Sequence, residues 1–117
     1  MLTVYGYQKC STCRDALKWL EAHHLAYQVK AIRETPPTPT ELATALKAAG
    51  GDLRKIFNTS GMDYRALGLK DQLPEMSDTA AFELLSKNGN LVKRPFLTGD
   101  GLVLVGFKEP EWQKALG

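Results

Sequence analysis

The order of apolar patterns at the start of the chain limits the fold more strongly than any other feature. Leu2–Gly6 is a short apolar run that predicts a strand, and helical spacing of apolar residues begins at Ser11 and ends near His23. The face formed by this spacing contains Cys13, Ala16, Leu17 and Leu20. Residues 26–32 then alternate apolar and polar side chains, which predicts a second strand. Because two parallel strands need a crossover between them, the pattern predicts a parallel βαβ unit.

The long interior stretch, residues 36–90, has helical rather than strand spacing. Thr38-Pro39-Thr40-Glu41 fits a capping box with proline at the first helical position, and Gly50-Gly51 should stop that helix. Further helices are predicted over residues 52–57, 63–67 and 77–87. We therefore expect a helical insert at approximately residues 36–90.

The last part of the chain predicts a hairpin followed by a helix. Residues 96–98 and Leu102–Val105 should be strands on either side of Gly99-Asp100-Gly101, in which Asp-Gly is typical of a hairpin turn. Pro110-Glu111-Trp112 should open the last helix. The order βαβ, helical insert, ββα predicts an α/β, thioredoxin-like fold with a four-stranded mixed sheet, formed as a single domain by residues 1–117.

The composition excludes several classes of function. The chain has 117 residues, of which 44% are hydrophobic, and such a length buries roughly two-thirds of the unfolded surface without disulfide bonds. A net charge of +2 is too small to indicate binding to nucleic acid or to an anionic membrane. No apolar run approaches the ~18 residues of a transmembrane helix, and the start of the chain lacks the regions of a signal peptide. We therefore expect a cytoplasmic monomer.

The only two cysteines in the chain, Cys10 and Cys13, lie at the turn between the first predicted strand and helix. In a reducing compartment such a pair is more often catalytic, redox-sensing or metal-binding than structural. A thiol must lose its proton to attack, and a helix N-terminus favours the resulting anion, so Cys10 is predicted as the nucleophile. Cys13, one turn further along, is predicted as the resolving thiol that closes a Cys10–Cys13 disulfide.

Four neighbours of Cys10 should stabilise a thiolate or a bound anion. Lys9 and Arg14 add positive charge, while Ser11 and Thr12 contribute backbone N–H groups and hydroxyls, and either hydroxyl can also cap the helix. Two other uses of the cysteine pair are a zinc half-site and ordinary packing. Structural zinc takes four ligands and the chain has no second cysteine pair, so no metal is expected. Packing alone stays open, because free cysteines are often simply buried.

Five segments of the chain together form a recognisable set. They are Tyr7-Gln8-Lys9-Cys10-Ser11-Thr12-Cys13-Arg14, Glu34-Thr35-Pro36-Pro37-Thr38, Tyr64-Arg65-Ala66-Leu67-Gly68-Leu69, Leu91-Val92-Lys93-Arg94-Pro95 and Val105-Gly106-Phe107. In combination they resemble the ArsC-type arsenate reductase superfamily, which includes the Spx/MgsR regulators and the YffB-like proteins. The resemblance spans nearly the whole chain, and the combination of Cys10 with Arg94-Pro95 is its most specific part.

The resemblance implies a thioredoxin-like fold in which Cys10 is the reactive thiol and Arg94 faces it, with a cis peptide bond between Arg94 and Pro95. Arg94 would offer a planar, permanently charged group to a thiolate, an oxyanion or a carboxylate of glutathione. Cys10, Cys13 and Arg94 are thus the predicted catalytic residues, and Pro95 belongs to the anion-binding set. No metal or organic cofactor is implied, and the reductant would be glutathione or a thioredoxin- or glutaredoxin-type donor.

Members of the superfamily differ in activity, and three activities are open for this chain. The first is a small thiol-disulfide oxidoreductase, a thiol-dependent reductase that uses the cysteine pair. The second is an Spx-like redox sensor that binds the RNA polymerase α-subunit, without direct contact to nucleic acid, through residues 50–60. The third is a glutathione- and glutaredoxin-dependent arsenate reductase, but Asn58 and Gly106 stand where that activity is expected to need arginines. Ser60 replaces a basic residue expected in many relatives. The presence of Cys13, which Spx-like members share, favours an internal disulfide cycle or a redox switch over arsenate reduction, and Ser60 lowers the regulator below the first activity.

Overall fold

The computed structural model describes residues 2–117, and the strands within them form a four-stranded mixed sheet in the order β2-β1-β3-β4. The strands are β1 (Leu2–Gly6), β2 (Tyr27–Ala31), β3 (Phe96–Gly99) and β4 (Leu102–Val105). β1 and β2 are parallel, and β3 is antiparallel to both β1 and β4. The predicted α/β class, the parallel βαβ unit and the hairpin are confirmed.

One face of the sheet is covered by the crossover helix and the last helix. α1 (Ser11–Ala22) runs between β1 and β2, and the last helix of the chain covers Glu109–Leu116. Their buried side chains form one core with the sheet, made of Val4, Ala16, Trp19, Leu20, Leu97 and Trp112. Trp19 meets Trp112 edge to face, with 5.9 Å between ring centroids, so both tryptophans are packing groups.

The opposite face is covered by the helices that lie between β2 and β3. They are α2 (Pro39–Ala48), α3 (Met62–Ala66), α4 (Leu69–Gln72) and α5 (Asp78–Lys87), and the last helix of the chain is therefore α6. Their apolar faces meet Tyr5 and Phe96 of the sheet in a second, larger core. Among residues 2–117 no helix is both long and apolar enough to cross a membrane. The division of the chain into domains stays a prediction.

The predicted helix over residues 52–57 is wrong beyond its first turn. Only Leu53–Lys55 is helical, as one turn of 3₁₀ helix. Phe57 instead forms an isolated antiparallel bridge with Val92, and the Lys93 N–H donates to the Ile56 carbonyl at 3.0 Å. Ile56 and Phe57 are fully buried, so tertiary pairing overrides local helical spacing here. α4 was not expected from the sequence, because a helix of four residues is too short to show a period.

α2 begins with the predicted capping box and is tied through it to the sheet. The Thr38 hydroxyl accepts from the Glu41 N–H, and the Glu41 carboxylate accepts from the Thr38 N–H at 2.9 Å. The same carboxylate also accepts from the Tyr5 hydroxyl of β1 at 2.9 Å. Burial, together with this bond and the charge of Glu41, raises the pKa of Tyr5 to about 12. A local capping element thus carries a long-range contact between α2 and β1.

Candidate active site

The cysteine pair lies where β1 ends and α1 begins. Cys10 itself is the N-cap of α1, with extended backbone (φ −85°, ψ 114°), and its Sγ accepts from the Cys13 N–H at 3.3 Å. The prediction that Ser11 or Thr12 caps this helix is wrong. The Cys10 N–H donates to the Tyr7 carbonyl at 2.9 Å, and this turn delivers Cys10 as the last residue before the helix. Ser11 and Thr12 already lie inside the first helical turn, where their side chains are exposed.

The two thiols have different surroundings. Cys13 is only 3% exposed and its Sγ lies close to Gly6, where an added Cβ would be 3.4 Å away. Cys10 is half-buried, and both residues are free thiols. Burial is the main cause that raises the pKa of Cys13 to about 12, followed by its hydrogen bond with Cys10. A backbone hydrogen bond from Tyr7 and the charge of Arg94 act in the opposite direction and favour the Cys13 thiolate.

Arg94 lies on the same side of the molecule as the cysteine pair. Its peptide bond to Pro95 is cis, as the family resemblance implies. The Arg94 Cζ lies 5.5 Å from the centroid of the Tyr7 ring, and its Nη1 is buried without a hydrogen-bond partner among residues 2–117. The positive charge of Arg94 acts on the Cys13 thiol, and the guanidinium lies beside the ring of Tyr7, the residue whose backbone also bonds to Cys13. The catalytic role of Arg94 stays a prediction.

The remaining predicted site residues surround the motif less closely. Lys9, Ser11, Thr12 and Arg14 are exposed, and Pro95 is buried. Within residues 2–117 no hydrogen bond joins the Ser11 or Thr12 hydroxyl to the Cys10 sulfur. Ser11 and Thr12 would therefore stabilise a Cys10 thiolate through their backbone N–H groups, because N–H groups in the first turn of a helix lack helical partners.

Tyr7 and Arg33 are neighbours of the site that the sequence reasoning missed. The Arg33 Cζ lies 3.8 Å from the centroid of the Tyr7 ring, closer than Arg94 does. Tyr7 follows β1, and Arg33 follows β2 by two residues. Because parallel strands end at the same edge of a sheet, the predicted βαβ unit already contained the signal that these side chains meet.

The positions where an arsenate reductase is expected to need arginine have other roles here. The Asn58 N–H donates to the Leu91 carbonyl at 2.7 Å, which holds the insert to the segment before Arg94. Gly106 has φ +74°, and a Cβ there would lie 3.0 Å from the Lys93 side chain. An arginine at Gly106 would be strained in backbone and crowded in side chain. Neither position supplies positive charge to the site.

The fold and the position of the Cys-x-x-Cys motif define a thioredoxin-like α/β protein with a thiol pair at the first strand-to-helix turn. More narrowly, the chain belongs to the ArsC family, whose family model matches residues 5–115. This match includes both cysteines and Arg94-Pro95, so the predicted superfamily is confirmed.

Individual relatives cover nearly the whole chain. The uncharacterised protein YusI of Bacillus subtilis (strain 168) is 48% identical over 113 residues, which are 97% of this chain and 96% of YusI. The global transcriptional regulator Spx of Listeria innocua is 30% identical over 117 residues, which are 99% of this chain and 87% of that protein. The crystal structure of "a possible arsenate reductase" from Streptococcus mutans UA159 superposes with a TM-score of 0.88 at 40% identity, and the match covers 97% of this chain and 98% of the other.

Proposed function

We propose that the chain is a small thiol-disulfide oxidoreductase in which Cys10 is the nucleophile and Cys13 the resolving thiol. The observation that carries the proposal is the unequal burial of two thiols held one helical turn apart. Cys10 is half-buried and caps α1, whereas Cys13 is buried behind it and donates its N–H to the Cys10 sulfur. The first sulfur is the more exposed of the two, and the second lies one helical turn away, where it can attack the first, which is the arrangement that an internal resolving step needs.

The reaction is two successive thiol-disulfide exchanges. The Cys10 thiolate attacks one sulfur of a substrate disulfide, which breaks the substrate S–S bond, forms a mixed disulfide and releases one thiolate. Cys13 then loses its proton to solvent and attacks the Cys10 sulfur, which releases the second thiolate and leaves a Cys10–Cys13 disulfide. The substrate gains two electrons and the protein loses two. Glutathione or a thioredoxin- or glutaredoxin-type dithiol donor returns the pair to free thiols.

The surroundings of Cys13 impose the order of these steps. Part of the rise in the Cys13 pKa comes from the hydrogen bond and charge of Cys10. Once Cys10 is in a mixed disulfide it carries no negative charge, so this part disappears, while Arg94 and the Tyr7 backbone continue to favour the Cys13 thiolate. Cys13 therefore becomes more acidic only after substrate has bound covalently. The role of Arg94 in this scheme is to speed closure of the Cys10–Cys13 disulfide.

Turnover of bis(2-hydroxyethyl) disulfide with an excess of a dithiol donor tests the proposal. Cys10→Ser should abolish turnover above the uncatalysed exchange, and in the absence of the donor Cys13→Ser should accumulate the Cys10 mixed disulfide, visible as an added mass on the intact protein. Arg94→Ala should slow disulfide closure by roughly tenfold, because a nearby positive charge that favours the Cys13 thiolate is lost. The matched control is Arg65→Ala, because Arg65 is an exposed arginine of α3 that donates to the Ser60 carbonyl. Turnover that survives in Cys10→Ser would refute the proposal.

The similarity to Spx proteins favours a second candidate, a redox-dependent regulator. The same Cys10–Cys13 disulfide would then be a signal, and residues 50–60 of the insert would contact the RNA polymerase α-subunit. Gly51 and Ser60 are exposed in that segment. Pull-down with the purified α-subunit under reducing and oxidising conditions distinguishes the two. Redox-dependent capture supports the regulator, whereas no capture together with disulfide turnover supports the enzyme.

Arsenate reduction fits the site less well than disulfide exchange. Arg94 is the one arginine at a position matching the expected set of three, and Gly106 has a backbone conformation that disfavours any replacement. A single guanidinium gives an oxyanion much less charge complementarity than three. We place the protein in the cytoplasm, where a reducing environment returns a catalytic cysteine pair to its thiol form.

A further inference from the structure

An open groove of about 540 Å³ lies between α1 and β2 and reaches Cys13 from the side. Val4, Leu17 and Val29 give it apolar walls. Val29 belongs to an edge strand of the sheet and is 52% exposed, so its side chain is accessible to a ligand in the groove. The volume is in the range of small-molecule sites, and it is too small for a folded partner.

Two arginines lie at the rim of this groove. Arg14 and Arg33 both line it, and Glu34 is the acidic residue beside them. Within residues 2–117 neither arginine takes part in an ion pair. Arg33 is nevertheless held in place, because its guanidinium stacks on the Tyr7 ring at 3.8 Å and its Nε donates to Asn90 Oδ1 at 2.6 Å. An ordered guanidinium beside an apolar wall is suited to bind a carboxylate on an apolar body.

We propose that this groove is the substrate subsite, and that it selects small disulfides in which a carboxylate is attached to an apolar body. The inference rests on the proposed function and adds its substrate class. The apolar body would lie against Val29 and Leu17, with the carboxylate at Arg33. Arg33 is then a specificity-determining residue that touches the substrate away from the sulfurs.

The subsite also explains how a substrate is held for the second exchange. The group that remains joined to Cys10 in the mixed disulfide would lie in the groove beside Cys13, the residue that must displace it. No further reactant is required, because the bonds broken and formed are those of the two exchanges described above. Release of the thiol product empties the groove, and the thiol donor then reduces the Cys10–Cys13 disulfide before the next substrate reacts.

The test compares disulfides that differ in charge and apolar area. The probes are 5,5′-dithiobis(2-nitrobenzoate), which has a ring and a carboxylate, dithiodiglycolate, which has a carboxylate alone, and neutral bis(2-hydroxyethyl) disulfide. Second-order rates with the reduced protein are divided by the rates of the neutral thiol N-acetylcysteamine with the same probes, which removes intrinsic reactivity. For the unmodified protein we expect the highest normalised rate with the probe that has a ring and a carboxylate. We expect a lower rate with dithiodiglycolate and the lowest with the neutral disulfide.

Variants then assign the preference to the groove. Arg33→Gln should lower the rates of both carboxylate probes relative to the neutral probe by roughly fivefold, the effect of losing one partly exposed ion pair. Val29→Ser should lower the rate of the aromatic probe relative to dithiodiglycolate. Arg65→Gln removes the same charge from α3 and should leave all ratios unchanged. Thermal unfolding of each variant confirms that it is folded.

Two results would count against the inference, and they have different meanings. If the protein reacts with the probes but Arg33→Gln and Val29→Ser leave every ratio unchanged, the subsite is wrong and the oxidoreductase proposal stands. If the unmodified protein reacts with no probe faster than N-acetylcysteamine does, the proposed function itself fails.

Discussion

At the scale of single residues, the site depends on two roles that Cys10 combines. It is the predicted nucleophile and also the N-cap of α1, so its sulfur takes the place that a serine or aspartate oxygen usually has. The cap bond from the Cys13 N–H directs the Cys10 sulfur toward the helix N-terminus. Cys13 is covered by Gly6 and the first strand. The difference between the two thiols is therefore produced by the turn together with the packing of α1 against β1.

Alkylation should report this difference directly. Iodoacetamide at pH 7 to 9, read by peptide mass spectrometry, should modify Cys10 and leave Cys13 unmodified, because burial raises the pKa of Cys13 to about 12. Cys10→Ser removes the effect of the Cys10 sulfur on the Cys13 pKa, but Cys13 stays buried. Cys13 should therefore still react slowly in this variant. Faster labelling of Cys13 than of Cys10 would show that the roles are reversed.

At the scale of elements, the contact between α2 and β1 depends on one carboxylate. Glu41 completes the capping box of α2 and also accepts from the Tyr5 hydroxyl. The contact joins two elements that are far apart in sequence and that meet across the larger core. It holds the helical insert to the strand that ends at the cysteine pair, so its loss should be felt in stability more than in thiol chemistry.

Tyr5→Phe tests this link through its pH dependence. At pH 8 the variant should lose about 1 kcal/mol of unfolding free energy, the usual net contribution of one hydrogen bond. The folded-state pKa of Tyr5, about 12, lies above its ordinary value of 10.0, so the stabilisation is complete below pH 10 and is lost as pH rises from 10 toward 12. Urea unfolding should therefore show the difference between the two proteins shrinking over that range. A difference in unfolding free energy that stays constant with pH would show that the pKa of Tyr5 is the same in the folded and unfolded states.

At the scale of the whole molecule, Gly106 connects the site to the core that contains Trp112. Its N–H donates to the Pro95 carbonyl at 2.8 Å, and its carbonyl accepts from Trp112 Nε1 at 3.1 Å. The residue thus joins the loop of Arg94 to α6 at the end of β4. Its positive φ makes this turn possible without strain, because glycine has no Cβ.

Gly106→Arg should destabilise the fold and should not create an arsenate site. The left-handed conformation costs an arginine about 1–2 kcal/mol, and the contact with Lys93 adds to that cost. Gly101→Arg is the matched control, because Gly101 also has positive φ (+68°) but an added Cβ meets nothing within 4 Å. Chemical denaturation should show the larger loss at Gly106. Equal losses would mean that the Lys93 contact relaxes freely.

The sequence alone determined the elements whose signals are local and strong. The parallel βαβ start, the hairpin around Asp100-Gly101 and the capping box at Thr38 each depend on residues close together in the chain, and each is confirmed. The family could be recognised for the same reason, because its motifs are short segments. The predicted site residues came from those motifs, and their roles await the experiments above.

Only the tertiary structure decided features that depend on which segments meet. It drew Phe57 out of a helix into a bridge with Val92, and brought Arg33 onto Tyr7. In each case a hydrogen bond or burial between distant segments outweighs a local preference worth less than about 1 kcal/mol. Sequence spacing therefore located the cysteine pair, and tertiary packing decided which thiol is exposed and what lies beside it.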